Sequence, residues 1–201
     1  MSAFLGTIHH WLYNKILFQE GLTSCLAGTA GSAAASELLA KATELFGEPE
    51  SGELADIIDP TNIHGWLQER VAMVEARLAY VVTSMLGDAP KKLTALTEQA
   101  AAYGRSQAAN AEQTAEGAYR LLENTLLNGM PCDHVNRIVE QDEASLTWEQ
   151  TKDIHAAYWQ QMDGDPAWYT RLREAVIEGL LTGSGVVCSK TGETVWTLRG
   201  R

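Results

Sequence analysis

The sequence predicts an α+β fold, with a helical N-terminal two-thirds packed on a C-terminal antiparallel β-β-α-β-β sheet. Two observations predict it. Up to about residue 130, apolar residues recur at helical spacing between Gly, Pro and acidic breaks. From residue 132 the spacing shortens to that of strands, in two pairs flanking one capped helix. The division reads as a helical region, 1–130, and a β-β-α-β-β region, 131–201, folded together as one compact domain.

The helices follow in order. Ile8, Trp11, Leu12 and Ile16 form a stripe that predicts a helix over 8–20, with Thr7 as cap. Residues 33–46 are rich in Ala, Leu and Glu and predict a second. The stretch GEPESGELADIIDP is a polar break, after which Asp59 and Pro60 start a long helix to about Leu86. Gly-Asp-Ala-Pro ends it. A further helix runs over 91–128, with a kink or break expected at Gly104 or Gly117.

The strands come next. HVNRIVEQ and SLTWEQT read as a hairpin turning at Asp142-Glu143, with Val139 opposite Leu146 and Arg137 stacked opposite Trp148. Asp165-Pro166 caps a helix that Gly183 or Gly185 stops. VVCSKTGETVWTL closes the chain as a second hairpin, with Lys190 facing Glu193 and Val187 facing Trp196.

One pattern is written twice. At an offset of 55, Ile8, His9, Trp11, Leu12 and Glu20 recur as Ile63, His64, Trp66, Leu67 and Glu75. As packing, two similar helices each use Trp as an anchor, with His beside it to accept the indole N–H or to cap a neighbour. As chemistry, His9 and His64 converge on a metal or a haem. Joined by Cys188, they are the candidate metal ligands.

Bulk properties narrow the function. The 201 residues carry a net charge of −11, with 45% apolar and 20% charged residues. No Lys/Arg cluster marks a nucleic-acid or anionic-membrane face. No apolar run is long enough to span a membrane, and the N-terminus does not read as a signal peptide. Three widely spaced cysteines without a C-x-x-C suit a cytoplasmic protein. G-x-G-x-x-G, Walker, H-E-x-x-H and G-x-S-x-G motifs are absent.

The densest chemistry is Pro131-Cys132-Asp133-His134. Cys132 reads as a nucleophile, with His134 or His155 as base and Asp133 orienting the imidazole. Cys132, His134, His155 and Cys188 also have the ligand types of a zinc site. As plain structure, Cys132 and Cys188 are small buried apolar groups. Trp148, Tyr158, Trp159, Trp168 and Tyr169 could wall a ligand pocket, or could be core. Arg137, Arg171 and Arg173 could clamp a ligand carboxylate.

From EGLLTG onward, Cys188, Gly192 and Trp196 follow at intervals of four. In this order of elements the C-terminal third resembles the end of the bacterial vinyl-reductase-like ligand-binding domains. It is also similar in order to L-2-amino-thiazoline-4-carboxylic acid hydrolase-like proteins. Where the first family's hairpin has a second Cys, this chain has Trp196. The resemblance implies a sheet-and-helix pocket for a small organic ligand. The expected function is therefore small-molecule binding or sensing, with a homodimer left open. A Cys132 hydrolase and a metal or haem protein are the alternatives, and no cofactor is specified.

Overall fold

Helix α1 (Thr7–Ala27) continues well past the expected end at residue 20. Beyond residue 20, Leu22, Leu26 and Ala27 enter the core, while the buried Glu20 pairs with Arg77. The computed structural model describes residues 5–87, 90–108 and 114–200. Helix α2 spans Ser32–Phe46, and one short turn, α3 (Leu54–Ile57), tucks Leu54 into the core. Helix α4 (Ile63–Leu86) starts later than expected: its cap is Asn62, whose side chain accepts from the Gly65 N–H at 3.1 Å. The Asp59 carboxylate instead accepts from the Thr61 N–H and hydroxyl and holds the turn ahead of the helix.

The single helix expected over 91–128 is two, α5 (Leu93–Gln107) and α6 (Ala115–Thr125). Thr114 caps α6 by accepting from the Gly117 N–H. Gly117 thus belongs to a helix start, and Gly104 lies unbroken inside α5. Residues 88–89, in the expected stop after α4, and residues 109–113 lie outside the described residues.

The C-terminal third holds one helix more than expected. Strands β1 (Asn136–Gln141) and β2 (Ser145–Gln150) are followed by α7 (Ala156–Gln161) and α8 (Pro166–Leu180), then β3 (Val186–Lys190) and β4 (Val195–Gly200). Asp165 caps α8 with Pro166 in its first turn, as expected. The four strands form one antiparallel sheet in the order β1-β2-β4-β3.

Both expected hairpin registers are corrected. Ile138, not Arg137, lies opposite Trp148, and Arg137 lies opposite Glu149. A bulge at Val139 inserts one extra residue and moves every later pair. In the second hairpin Lys190 faces Trp196 and Val187 faces Arg199, because the turn holds four residues rather than two.

Why α5 and α8 cross so closely follows from two glycines. A Cβ built on Gly104 would stand 2.4 Å from the Val176 carbonyl oxygen, and one on Gly179 would stand 2.2 Å from that of Ala101. Only hydrogen fits at either position. The inner face of the sheet (Leu146, Trp148, Trp196, Leu198) packs with these helices and α6 into the main core. Trp148 and Trp196, paired across β2 and β4, stack at 6.2 Å. A second core joins α1, α3 and α4 to Leu127 and Met130.

The repeated pattern places α1 and α4 side by side and parallel. Tyr13 meets the Trp66 ring, and the Glu20 carboxylate meets Arg77 two turns on. Each copy carries a cation over its Trp, Lys15 at 3.6 Å from the Trp11 ring and Arg70 at 4.7 Å from Trp66. Of the two roles expected for the histidine beside the Trp, His9 takes the capping one. Trp11 Nε1 donates to Asn124 Oδ1, and His9 Nδ1 accepts from the Gly6 N–H of its own helix start. No helix among the described residues is long and apolar enough to cross a membrane.

Candidate functional site

A chain of buried polar side chains crosses from α4 to α8 behind the sheet. The Asp153 carboxylate accepts from the His155 and Ala156 N–H groups, which starts α7 and fixes His155 as its N-cap residue. From there the His155 ring reaches into the core. Its Nδ1 lies 3.0 Å from Glu75 Oε2 and its Nε2 lies 3.0 Å from the Tyr169 hydroxyl. The rings of His155 and Tyr169 stack at 4.1 Å. One helical turn beyond Tyr169, Arg173 Nη1 donates to that hydroxyl at 3.0 Å.

The partners assign the donors. An ionised carboxylate only accepts, so Nδ1–H donates to Glu75. With the ring neutral, Nε2 accepts from the Tyr169 O–H, and the phenol oxygen accepts from Arg173. The four groups form one directed line from guanidinium to carboxylate. Glu75 is 2% exposed and His155 4%. Burial raises the Tyr169 hydroxyl above its ordinary range, so it stays a donor at neutral pH. The second Glu75 oxygen, Oε1, is buried with no hydrogen-bond partner among the described residues.

Arg173 is held from the other side. Its Nη2 donates to Asn128 Oδ1 at 2.7 Å, and its Nη1 also reaches the Leu127 carbonyl. Nearby, Lys15 is 2% exposed, and burial pushes its amine down to about 8 despite the favourable charge of Glu123.

A cleft of about 320 Å³ opens on this line, between α7 and α8 on one side and the sheet on the other. His155, Tyr169 and Arg173 form its helical wall, and Lys190 and Trp196 its sheet wall. Larger hollows lie elsewhere. One of about 1130 Å³ runs between α2, α4 and α5, where Lys41 and Glu44 pair with each other at 2.8 Å. One of about 580 Å³ lies between α8 and β3. Neither is backed by a comparable line of buried polar groups.

The expected catalytic set is not assembled. Both nitrogens of His155 are occupied by Glu75 and Tyr169, so it is not the base for Cys132. Asp133 orients no imidazole: its Oδ2 accepts from the Met130 N–H and closes the turn. His134, at φ 47°, ends that turn and is exposed. Cys132 is exposed, and no hydrogen bond among the described residues joins it to an imidazole.

The expected metal ligands also separate. Cys188 lines the α8–β3 hollow, and burial pushes its thiol up to about 12. His9 and His64 do share a cavity, but with Cys132 rather than Cys188. Among the described residues no three His, Cys, Asp or Glu side chains are grouped to hold a metal ion.

Of the expected ligand-binding residues, Tyr169 lines the cleft. Trp148 and Trp159 are buried in the main core, with Tyr158 and Trp168 packed against it. Arg137 is exposed and pairs with Glu149 at 2.6 Å. Glu75 and Lys190, which sequence reasoning missed as site residues, belong to the site. The signal for Glu75 is its setting: VAMVEARLAYVV puts a carboxylate, with Arg77 two residues on, inside a mostly apolar run. Comparison with known proteins finds no matching family model, no matching curated protein and no matching solved structure.

Proposed function

We propose that the protein binds a small organic carboxylate in the cleft between the sheet and helices α7 and α8. The observation that carries this reading is the Arg173–Tyr169–His155 line at the cleft wall, with Glu75 behind it. In a chain of net charge −11, the cleft lining sets Lys152, Arg173 and Lys190 against the carboxylates of Asp153 and Glu193, a balance on the positive side where a ligand would lie. Protein acceptors engage both terminal nitrogens of Arg173, and its Nε–H has none among the described residues. A guanidinium so fixed presents its remaining donors to a carboxylate with little loss of freedom. Trp196, buried with its ring stacked on Trp148 and with Lys190 over it, gives the cleft an apolar edge. The cleft volume suits a molecule at the small end of the ligand range. Free cysteines and the acidic surface fit a reducing, cytoplasmic setting for such a binder.

Thermal unfolding with a panel of aromatic monocarboxylates, and their amides as controls, tests the reading. At about 100 times its Kd, a binding carboxylate adds about 2.7 kcal/mol and raises the Tm by ~5–10 °C. The amide raises it less, and Arg173→Gln removes the difference. A panel that leaves the Tm unmoved, or a gain that survives Arg173→Gln, overturns the assignment.

A further inference from the structure

The repeat solves a second problem. Parallel packing of α1 and α4 brings the first turns of both helices to one end of the molecule, and the turn carrying Cys132 crosses that end. A cavity of about 170 Å³ lies between them, lined by His9, His64, Cys132, Ile8, Leu12 and Leu67 among others. Two imidazoles from equivalent positions of the repeat thus face one hollow with an exposed thiol. We infer that this cavity is an acyl-transfer site, in which Cys132 attacks the ester of a short aliphatic acid.

Each lining group has a part the chemistry needs. Ile8, Leu12 and Leu67 give the acyl chain an apolar seat, and the small volume limits its length. His9 Nδ1 accepts from the Gly6 N–H at 2.9 Å, so its neutral ring carries hydrogen on Nε2. That Nε2–H serves as donor to the oxyanion formed on attack. His64 carries no hydrogen bond of its own among the described residues, is exposed, and takes the thiol proton. Neither helix has an acidic residue in its first turn. The positive ends of both helix dipoles therefore face the site where negative charge develops.

The step balances without any added oxidant or reductant. Cys132 Sγ bonds to the carbonyl carbon as its proton passes to His64. The C–O bond to the alcohol breaks, and His64 returns the proton to the leaving oxygen. Water then adds to the thioester, the C–S bond breaks, and the carboxylic acid leaves with the thiol restored.

The test is p-nitrophenyl butyrate added to the full chain. The expected result is a burst of p-nitrophenolate equal to the protein, with a butyryl adduct mapped to Cys132, formed faster than on N-acetylcysteine. Cys132→Ala abolishes both. His64→Gln slows the burst about 100-fold. His9→Asn, which keeps a side-chain acceptor for the Gly6 N–H, also slows it. The dodecanoate ester reacts more slowly than the butyrate, and Cys188→Ala and His134→Asn leave the burst unchanged. Reaction no faster than with N-acetylcysteine, or a full-rate burst in His64→Gln and His9→Asn, overturns the proposal.

Discussion

Glu75 and His155 meet at 3.0 Å inside the protein, 80 residues apart along the chain. Removing the carboxylate leaves a buried imidazole N–H with nothing to receive it, whereas an amide keeps an acceptor in place. Glu75→Leu is expected to cost about 3 kcal/mol and Glu75→Gln about 1 kcal/mol. Urea unfolding of the three proteins measures the difference. Equal losses would mean that the site responds to volume and not to the hydrogen bond.

The α5–α8 crossing depends on two missing methyl groups. Ala at Gly104 or Gly179 would meet a backbone oxygen, which cannot turn aside as a side chain does. Each substitution is expected to cost about 3 kcal/mol, the upper part of the usual range for overpacking. Gly28 is the control, since nothing lies within 4 Å of its Cβ direction and its φ is −56°. Gly28→Ala is expected to be neutral or to stabilise by ~0.5 kcal/mol. Thermal unfolding of the three variants reads both signs.

Lys15 gives the stability a pH dependence in the alkaline range. Its amine titrates at about 8 in the folded protein against an ordinary 10.5, so between those values the unfolded chain binds more protons. Stability from this group therefore rises as pH increases through the window and is lost as pH falls through about 8. Relative to Lys15→Met, the wild type is expected to gain on the order of 2 kcal/mol across it. Denaturant titrations at several pH values check the slope. Parallel curves for the two proteins would remove Lys15 as its cause.

The Glu20–Arg77 pair is bidentate and buried, at 2.8 and 2.9 Å, and Arg77 also reaches Thr43 and the Gly47 carbonyl. Breaking it from one side strands a charge. Arg77→Met is expected to cost about 3–5 kcal/mol, and Glu20→Leu with Arg77→Met together to cost less than Arg77→Met alone. A double-mutant cycle in urea measures the coupling. A double variant weaker than either single one would contradict it.

Apolar stripes made α1 and α4 legible in the sequence, and an Ala-, Leu- and Glu-rich composition made α2 legible, because both are properties of the helix alone. Asp165-Pro166 announced α8 for the same local reason. Helix α7 was not legible: six residues hold too little periodicity to separate from the loop around them. The hairpin register turned on one bulged residue, Val139, which nothing in NRIVEQ marks. His155 was recognised as reactive, but its partners come from α4 and α8, at separations no local pattern encodes. The repeat was visible, and the structure lines one cavity with both His9 and His64. That Cys132 joins them depends on a turn in a different part of the chain.

Helix α4 binds the two ends of the chain into one thermodynamic unit. Two residues apart on it, Arg77 holds α1 and α2 through Glu20 and Thr43, while Glu75 holds the C-terminal third through His155. A fragment ending near residue 130 would leave the buried Glu75 carboxyl without its imidazole partner, and a fragment beginning there would leave His155 without Glu75. Unfolding is therefore expected to be cooperative across the helical and sheet regions. Calorimetry should record one heat-absorption peak, with equal calorimetric and van't Hoff enthalpies.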